Sequence, residues 1–300
     1  MKYSFVKEIC ERYNAEYIEN EILSDYVSFK IGGKCPILIK PKGSECLCEL
    51  MAAFKTEDCP YLVMGRGSNL LISDKGLDRP VIMISSDMGS IEFDGHRVTA
   101  GAGAPLISVC REAAERSLSG IEFAYGIPGS AGGAVYMNAG AYGGEMKDII
   151  ESCTYADEYG QLHRIQNKDM ELSYRHSFFS GKPYIITEVV LKLENGDKKD
   201  IQRKMSELMG KRREKQPLEY PSAGSTFKRP EGDFAGRLIE AAGLKGFSVG
   251  GAQVSEKHCG FVVNKGNARF EDVIGVIETV KKRVSETSGR ELECEVVIWS

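Results

Sequence analysis

Residues 126–144 read Gly-Ile-Pro-Gly-Ser-Ala-Gly-Gly-Ala-Val-Tyr-Met-Asn-Ala-Gly-Ala-Tyr-Gly-Gly, with seven glycines in nineteen positions. A glycine inside a helix or strand costs about 0.5–1 kcal/mol relative to alanine. So dense a run predicts neither an ordinary helix nor an ordinary strand. It offers instead a backbone without Cβ atoms, which a flat ligand can approach closely. Two smaller clusters accompany it: Gly65-Arg66-Gly67-Ser68-Asn69, directly after the apolar Tyr61–Met64, and Gly101-Ala102-Gly103-Ala104. In a turn like 65–69 successive N–H groups can form a concave anion site, with a diphosphate the natural guest, whereas 101–104 reads equally as the end of a strand. The 65–69 cluster is no dinucleotide fingerprint, because Leu70 occupies the third glycine position, and no P-loop lysine follows. Alone it reads equally well as a surface turn. The longer loop does not, because long irregular loops inside compact domains are usually functional.

The 300-residue chain is 42% apolar and 27% charged, which excludes wholesale disorder and suggests about two domains. A formal net charge of −4 gives no general attraction to nucleic acid or anionic membrane. Nine scattered cysteines without a Cys-x-x-Cys read as small buried hydrophobes. Only four histidines accompany them, so no metal site is expected. The charged N-terminal segment lacks an h-region, and no apolar run is long enough to span a bilayer. The expected location is cytoplasmic.

Strands alternate with helices, predicting an α+β or α/β fold. Helices are expected over Lys2–Asn20, from Ser44 as N-cap to Lys55, from Pro105 to Arg116, over Lys198–Lys215, Asp233–Ala242 and Phe270–Thr287. In the last, Val273, Val276, Ile277, Val280 and Val284 form one apolar stripe. Extended runs are expected over Val27–Lys40 around Gly32-Gly33, Tyr61–Met64, Val81–Ile84, Tyr184–Leu193, Phe261–Asn264 and Leu292–Trp299. Hairpins are expected around Asp94-Gly95 and Tyr159-Gly160.

The runs GRGSNLL, AGAG and GIPGSAGGAVYMNAGAYGGE together resemble the FAD-binding domain of vanillyl-alcohol-oxidase-type (PCMH) flavoproteins. With the later motifs, the chain from about Val27 onward resembles the UDP-N-acetylenolpyruvoylglucosamine reductase family, in its short form without the tyrosine-loop insert. The resemblance implies an α+β fold: a two-part FAD-binding domain (1–62 and 63–199) and a C-terminal α+β substrate-binding domain (200–300). It implies non-covalent FAD held by Gly65, Arg66, Gly67, Ser68, Asn69, Gly129, Ser130, Gly132, Gly133, Asn138, Ala139 and Arg212. It also implies NADPH as hydride donor.

The implied reaction is reduction of the enolpyruvyl ether of a UDP-sugar to the lactyl ether, making UDP-N-acetylmuramate for peptidoglycan. Hydride adds to the terminal methylene carbon and leaves negative charge on the carbon next to the carboxylate, delocalised into it as an enolate. That charge needs stabilisation, and the carbon needs a proton. Tyr174-Arg175 resembles the family's Tyr-Arg motif, with Arg175 on the carboxylate. In Gly224-Ser225-Thr226-Phe227-Lys228, Ser225 maps onto the proton-delivering serine. In Leu292-Glu293-Cys294-Glu295-Val296, Glu295 maps onto the catalytic glutamate, acting either as an acid or as an orienter of Arg175. Tyr174, Lys215, Lys228, Arg229 and His258 are the implied substrate contacts. Arg229 replaces the usual Asn, and Cys259 and Cys294 stand where Ala and Pro are more usual. The substrate is a small molecule, and no nucleic acid, membrane or obligate protein partner is expected. The rivals are an FAD hydroxy-acid or alcohol oxidase on the same fold, which needs a larger substrate domain, and a non-catalytic flavin or nucleotide-sugar binder.

Overall fold

In the computed structural model, which describes residues 3–300, helix α1 spans Ser4–Tyr13 and stops at Asn14, whose φ is 51°. Asparagine tolerates this left-handed conformation better than most residues. The expected helix over Lys2–Asn20 is therefore too long: Glu16–Ile22 is a strand, and Lys2 lies outside the described residues. Helix α2 spans Gly43–Thr56 with Lys42 at the N-cap and no side-chain cap, so Ser44 is inside the helix and caps nothing. Of Val27–Lys40 only Lys34–Lys40 is a strand. The segment before it spends its backbone on loops: Ser28 N–H bonds Gly67 O at 3.1 Å, and Leu23 N–H bonds Gly33 O at 3.0 Å.

The chain forms two compact units. The first runs to Glu19 and takes in Ile37–Arg66 and Arg79–Gly210; the second comprises Asn20–Pro36, Gly67–Asp78 and Lys211–Ser300. In the four-stranded sheet, Lys34–Lys40 and Leu62–Met64 both pair in parallel with Val81–Met83, and Glu16–Ile22 is the outer strand. The first unit also holds a five-stranded antiparallel sheet, ordered Leu162–Gln166, Ile150–Ala156, Ile185–Lys192, Arg97–Gly101, Ile91–Asp94. Both expected hairpins lie in it, with Asp94 opposite Arg97 and Ala156 opposite Leu162. Helix α3 (Leu106–Glu115) follows Pro105, and α4 (Ala131–Tyr136) lies inside the glycine-rich run. That run also forms the pair Gly140–Ala141 with Gly144–Glu145, so the expectation that it lacked helix and strand is corrected. Helix α5 is Lys198–Lys215, as its charge pattern predicts.

The second unit packs α6 (Ala235–Ala241) and α7 (Phe270–Ser288) with the sheet Ser248–Val249, Ala252–Val254, Val262–Asn264. The α7 stripe is buried among Leu238, Ile239, Val254 and Val262. Each such side chain stabilises the fold by about 1.5–3 kcal/mol. Gly289, at φ 67°, ends α7. Only Val297–Trp299 of the expected terminal strand is strand, parallel to Leu70–Ile72. Residues 292–296 form no regular strand: Cys294 pairs with Phe227 at a single position, and Val296 is a bend. None of the nine cysteines is in a disulfide, and burial pushes the Cys10 and Cys153 thiols up to about 12. Among the described residues no helix is long and apolar enough to cross a membrane, and no group of three His, Cys, Asp or Glu is placed to hold a metal.

Candidate active site

In the first unit the glycine loops are fitted to one another. A Cβ on Gly132 would lie 2.7 Å from Ala102 Cβ, so both positions must be small for α4 to start there. Ala131 N–H bonds Ala104 O and Gly132 N–H bonds Ala102 O, each at 2.9 Å. Ser130 caps α4 by accepting Gly133 N–H at 3.3 Å. A Cβ on Gly65 would lie 2.8 Å from Ser130 Oγ, so this glycine lets the two loops touch. The donors of residues 131–133 are thus spent inside the fold. The N–H groups of residues 65–69 are given to no backbone carbonyl among the described residues. Among them Gly65 and Arg66, in the first unit, keep backbone N–H donors of the kind that a diphosphate can use.

Arg175 lies in a two-residue turn, Tyr174-Arg175, closed by Ser173 N–H to His176 O and His176 N–H to Ser173 O, both 3.2 Å. Its φ of 55° is strained for a side-chain-bearing residue, and such strain clusters at functional sites. Its guanidinium lies 5.3 Å from the Tyr174 ring centre, and Tyr174 is half exposed. Two buried groups hold the turn. Asn138 Nδ2 donates to Ser173 O at 3.0 Å, and Ser177 Oγ donates to Tyr136 O at 2.7 Å. Asn138 also donates to Glu145 Oε2 at 2.6 Å and accepts Lys147 N–H at 2.9 Å. Its side chain is committed to the protein, as is that of Ser130. Ala139 follows it, half-buried.

In the second unit Gly67 has φ 61°, and a Cβ there would lie 2.3 Å from Tyr26 O. The chain itself requires this glycine. Asn69 donates Nδ2–H to Glu295 O at 3.0 Å, and its carbonyl accepts Val297 N–H at 3.0 Å. Glu295 N–H bonds Thr226 O at 2.9 Å, while Ser225 pairs with Phe261 across an isolated bridge. Ser225 and Glu295 therefore lie on adjoining segments joined through Thr226, which also accepts Val262 N–H on Oγ1 at 3.0 Å. Lys228 is paired with Glu293 at 3.0 Å, and Arg229 lies 4.8 Å from the Phe234 ring centre. His258 Nδ1 accepts Gly260 N–H at 3.1 Å, so the neutral ring carries its proton on Nε2. Burial holds His258 below the ordinary histidine range. Arg212 and Lys215 occupy the last turn of α5; Ser68 is half-buried.

Sequence reasoning missed Thr226, Ser173 and Ser177, whose roles depend on partners distant in the chain. It also missed Gln216, whose buried Oε1 has no hydrogen-bond partner among the described residues. An orphaned acceptor of that kind is suited to a ligand donor. Its neighbour Lys215 was the available signal.

A family model described as "FAD binding domain" matches residues 36–166, and one described as "UDP-N-acetylenolpyruvoylglucosamine reductase, C-terminal domain" matches residues 216–299. Fold and loops thus define an FAD-binding oxidoreductase. A UDP-N-acetylenolpyruvoylglucosamine reductase of Agathobacter rectalis is 48% identical over 309 aligned residues, covering 99% of this chain and 98% of that protein. One of Caldanaerobacter subterraneus is 47% identical, covering 93% and 92%. The crystal structure of the Thermus caldophilus enzyme of that name superposes with a TM-score of 0.81 at 37% identity, covering 95% of this chain and 99% of that one. The chain belongs to the UDP-N-acetylenolpyruvoylglucosamine reductase family. The family's activity is an oxidoreductase step of peptidoglycan-precursor synthesis on a small nucleotide-sugar substrate, with FAD as cofactor and NADPH as reductant. Neither rival reading, oxidase or passive binder, gains support from these matches.

Proposed function

We propose that the chain reduces the enolpyruvyl ether through three residues with separate tasks. Arg175 binds the substrate carboxylate, where a guanidinium fork suits the charge that develops there. Ser225 gives its hydroxyl proton to the carbon next to that carboxylate. Glu295 stabilises the enolate at that step. When bound, FAD supplies the hydride relay from NADPH to the terminal methylene carbon. The observation that carries this reading is the Glu295 N–H to Thr226 O bond, which puts the glutamate on the segment beside the serine.

The remaining assignments belong to the same reading. Gly65, Arg66, Gly67, Ser68, Asn69, Gly129, Ser130, Gly132, Gly133, Asn138, Ala139 and Arg212 form the non-covalent FAD site. Tyr174, Lys215, Lys228, Arg229 and His258 contact substrate. This reading keeps residues 1–62 and 63–199 as the FAD-binding subdomains and 200–300 as the substrate-binding domain, with Tyr174, Arg175 and Arg212 as the exceptions to that division. The activity is cytoplasmic, where nucleotide sugars and NADPH occur together, and needs no nucleic acid, membrane or protein partner.

The test is anaerobic. Protein carrying FAD is bleached with NADPH and then mixed with the enolpyruvyl ether of UDP-N-acetylglucosamine. Return of the yellow colour with formation of the lactyl ether is expected. A flavin that stays reduced contradicts the proposal.

A further inference from the structure

The geometry points to Asn69 as a positioning residue for Glu295, acting on the proton-delivering half of the reaction through the glutamate backbone. This inference rests on the reading that Glu295 is catalytic. Asn69 immediately precedes the strand Leu70–Ile72, which pairs in parallel with Val297–Trp299, Leu70 facing Val297. The ladder begins at Val297, so its regular hydrogen bonds do not reach back to Glu295. The Asn69 side chain extends the pairing: Nδ2–H reaches the Glu295 carbonyl at 3.0 Å, while the Asn69 carbonyl takes Val297 N–H at 3.0 Å.

On its other side, Glu295 gives its own N–H to Thr226 O at 2.9 Å. Both peptide planes that flank the Glu295 Cα are therefore held, the first by Thr226 and the second by Asn69 together with a longer Val296 N–H to Thr226 O bond at 3.4 Å. Fixing both planes fixes φ and ψ, and with them the direction of the Cα–Cβ bond. Thr226 is itself anchored, its N–H on Gly260 O at 2.8 Å and its Oγ1 under Val262 N–H at 3.0 Å. It follows Ser225 directly. Removing the Asn69 amide takes the 3.0 Å bond from the plane after Glu295 and leaves that plane the longer Val296 N–H to Thr226 O bond at 3.4 Å. A misplacement of about 1 Å at a reacting group can cost roughly 10²-fold in rate.

The test is a double-mutant cycle on reoxidation of the NADPH-reduced enzyme by the enolpyruvyl sugar nucleotide, with rates taken per bound flavin. Wild type, Asn69→Ala, Glu295→Gln and the double variant are compared by anaerobic stopped flow. Each single variant is expected to lose roughly 10²-fold in this step, and the double variant to be no slower than Glu295→Gln. Asn69→Ser, whose hydroxyl can still donate to the carbonyl, is expected to recover part of the rate. Where Asn69→Ala does not fold, Asn69→Asp, of similar size but without the amide donor, takes its place. Losses that multiply in the double variant overturn the inference, as does an Asn69→Ala defect that vanishes per bound flavin. A Glu295→Gln enzyme reoxidised at the wild-type rate removes the catalytic role of Glu295 first, and the inference with it.

Discussion

Asn138 Nδ2 lies 3.0 Å from the Ser173 carbonyl oxygen, so one buried amide joins the end of α4 to the turn that carries Arg175. The same side chain bonds Glu145 and the Lys147 N–H. Asn138→Ala leaves all three partners without it. Losing these bonds is expected to lower stability by about 2–4 kcal/mol. Because the turn then loosens, the Michaelis constant for the enolpyruvyl substrate is expected to rise several-fold. Denaturant unfolding and steady-state kinetics read the two effects. A stability loss with an unchanged Michaelis constant confines Asn138 to the fold.

Glu122 is a carboxylate buried at the approach to the glycine-rich loop. Burial pushes its pKa up, but the Ser119 hydroxyl at 2.6 Å, the Gly120 N–H at 3.0 Å and Lys204 at 3.6 Å together hold it below the ordinary carboxylate range. The unfolded chain therefore binds the proton more readily than the folded one. The stabilisation is complete above the unfolded value and disappears as pH falls through the lower folded value. Glu122→Gln is expected to lower stability at neutral pH and to flatten the acid limb of the stability profile. Urea unfolding across a pH series checks it; an acid limb of unchanged steepness contradicts the assignment.

Local pattern made some elements legible. Helix α7 announced itself by the Val273–Val284 stripe and Gly289, and α5 by its charges. The glycine-rich run misled. Gly132 sits inside a helix because Ala102, thirty residues earlier, packs against it, and nothing local records that constraint. The same holds for the Asn69–Glu295 bond, which spans 226 residues. Leu292–Glu295 reads as strand from composition, yet its backbone bonds residues 226 and 228 irregularly. Arg175, Ser225 and Glu295 were selected by resemblance. Their residue types alone also fit a surface ion pair, a turn and a strand edge.

The flavin is expected to be non-covalent. Residues 64–70 and 126–134 contain neither the His nor the Cys that a covalent link requires. Acid precipitation of the yellow protein should release the colour to the supernatant. Flavin retained in the pellet contradicts this.

Arg229 is exposed, and its charge is expected to attract the substrate diphosphate. Arg229→Asn should raise the Michaelis constant and flatten its salt dependence, with turnover little changed. Equal Michaelis constants for the two proteins at both low and high salt make Arg229 a solvated surface charge.

The central claim is that Ser225 delivers the proton to the substrate carbon, and its two half-reactions separate that role from a structural one. Reduction of FAD by NADPH requires no protonation of a substrate carbon; reduction of the enol ether does. Ser225→Ala should therefore bleach with NADPH at close to the wild-type rate. In anaerobic stopped flow, its reoxidation by the enolpyruvyl sugar nucleotide should then slow by at least roughly 10²-fold, the usual lower bound for general acid catalysis. Ser225→Cys, with the more acidic thiol, should restore part of that step. Equal slowing of both half-reactions, or of neither, contradicts the assignment of Ser225 as the proton donor.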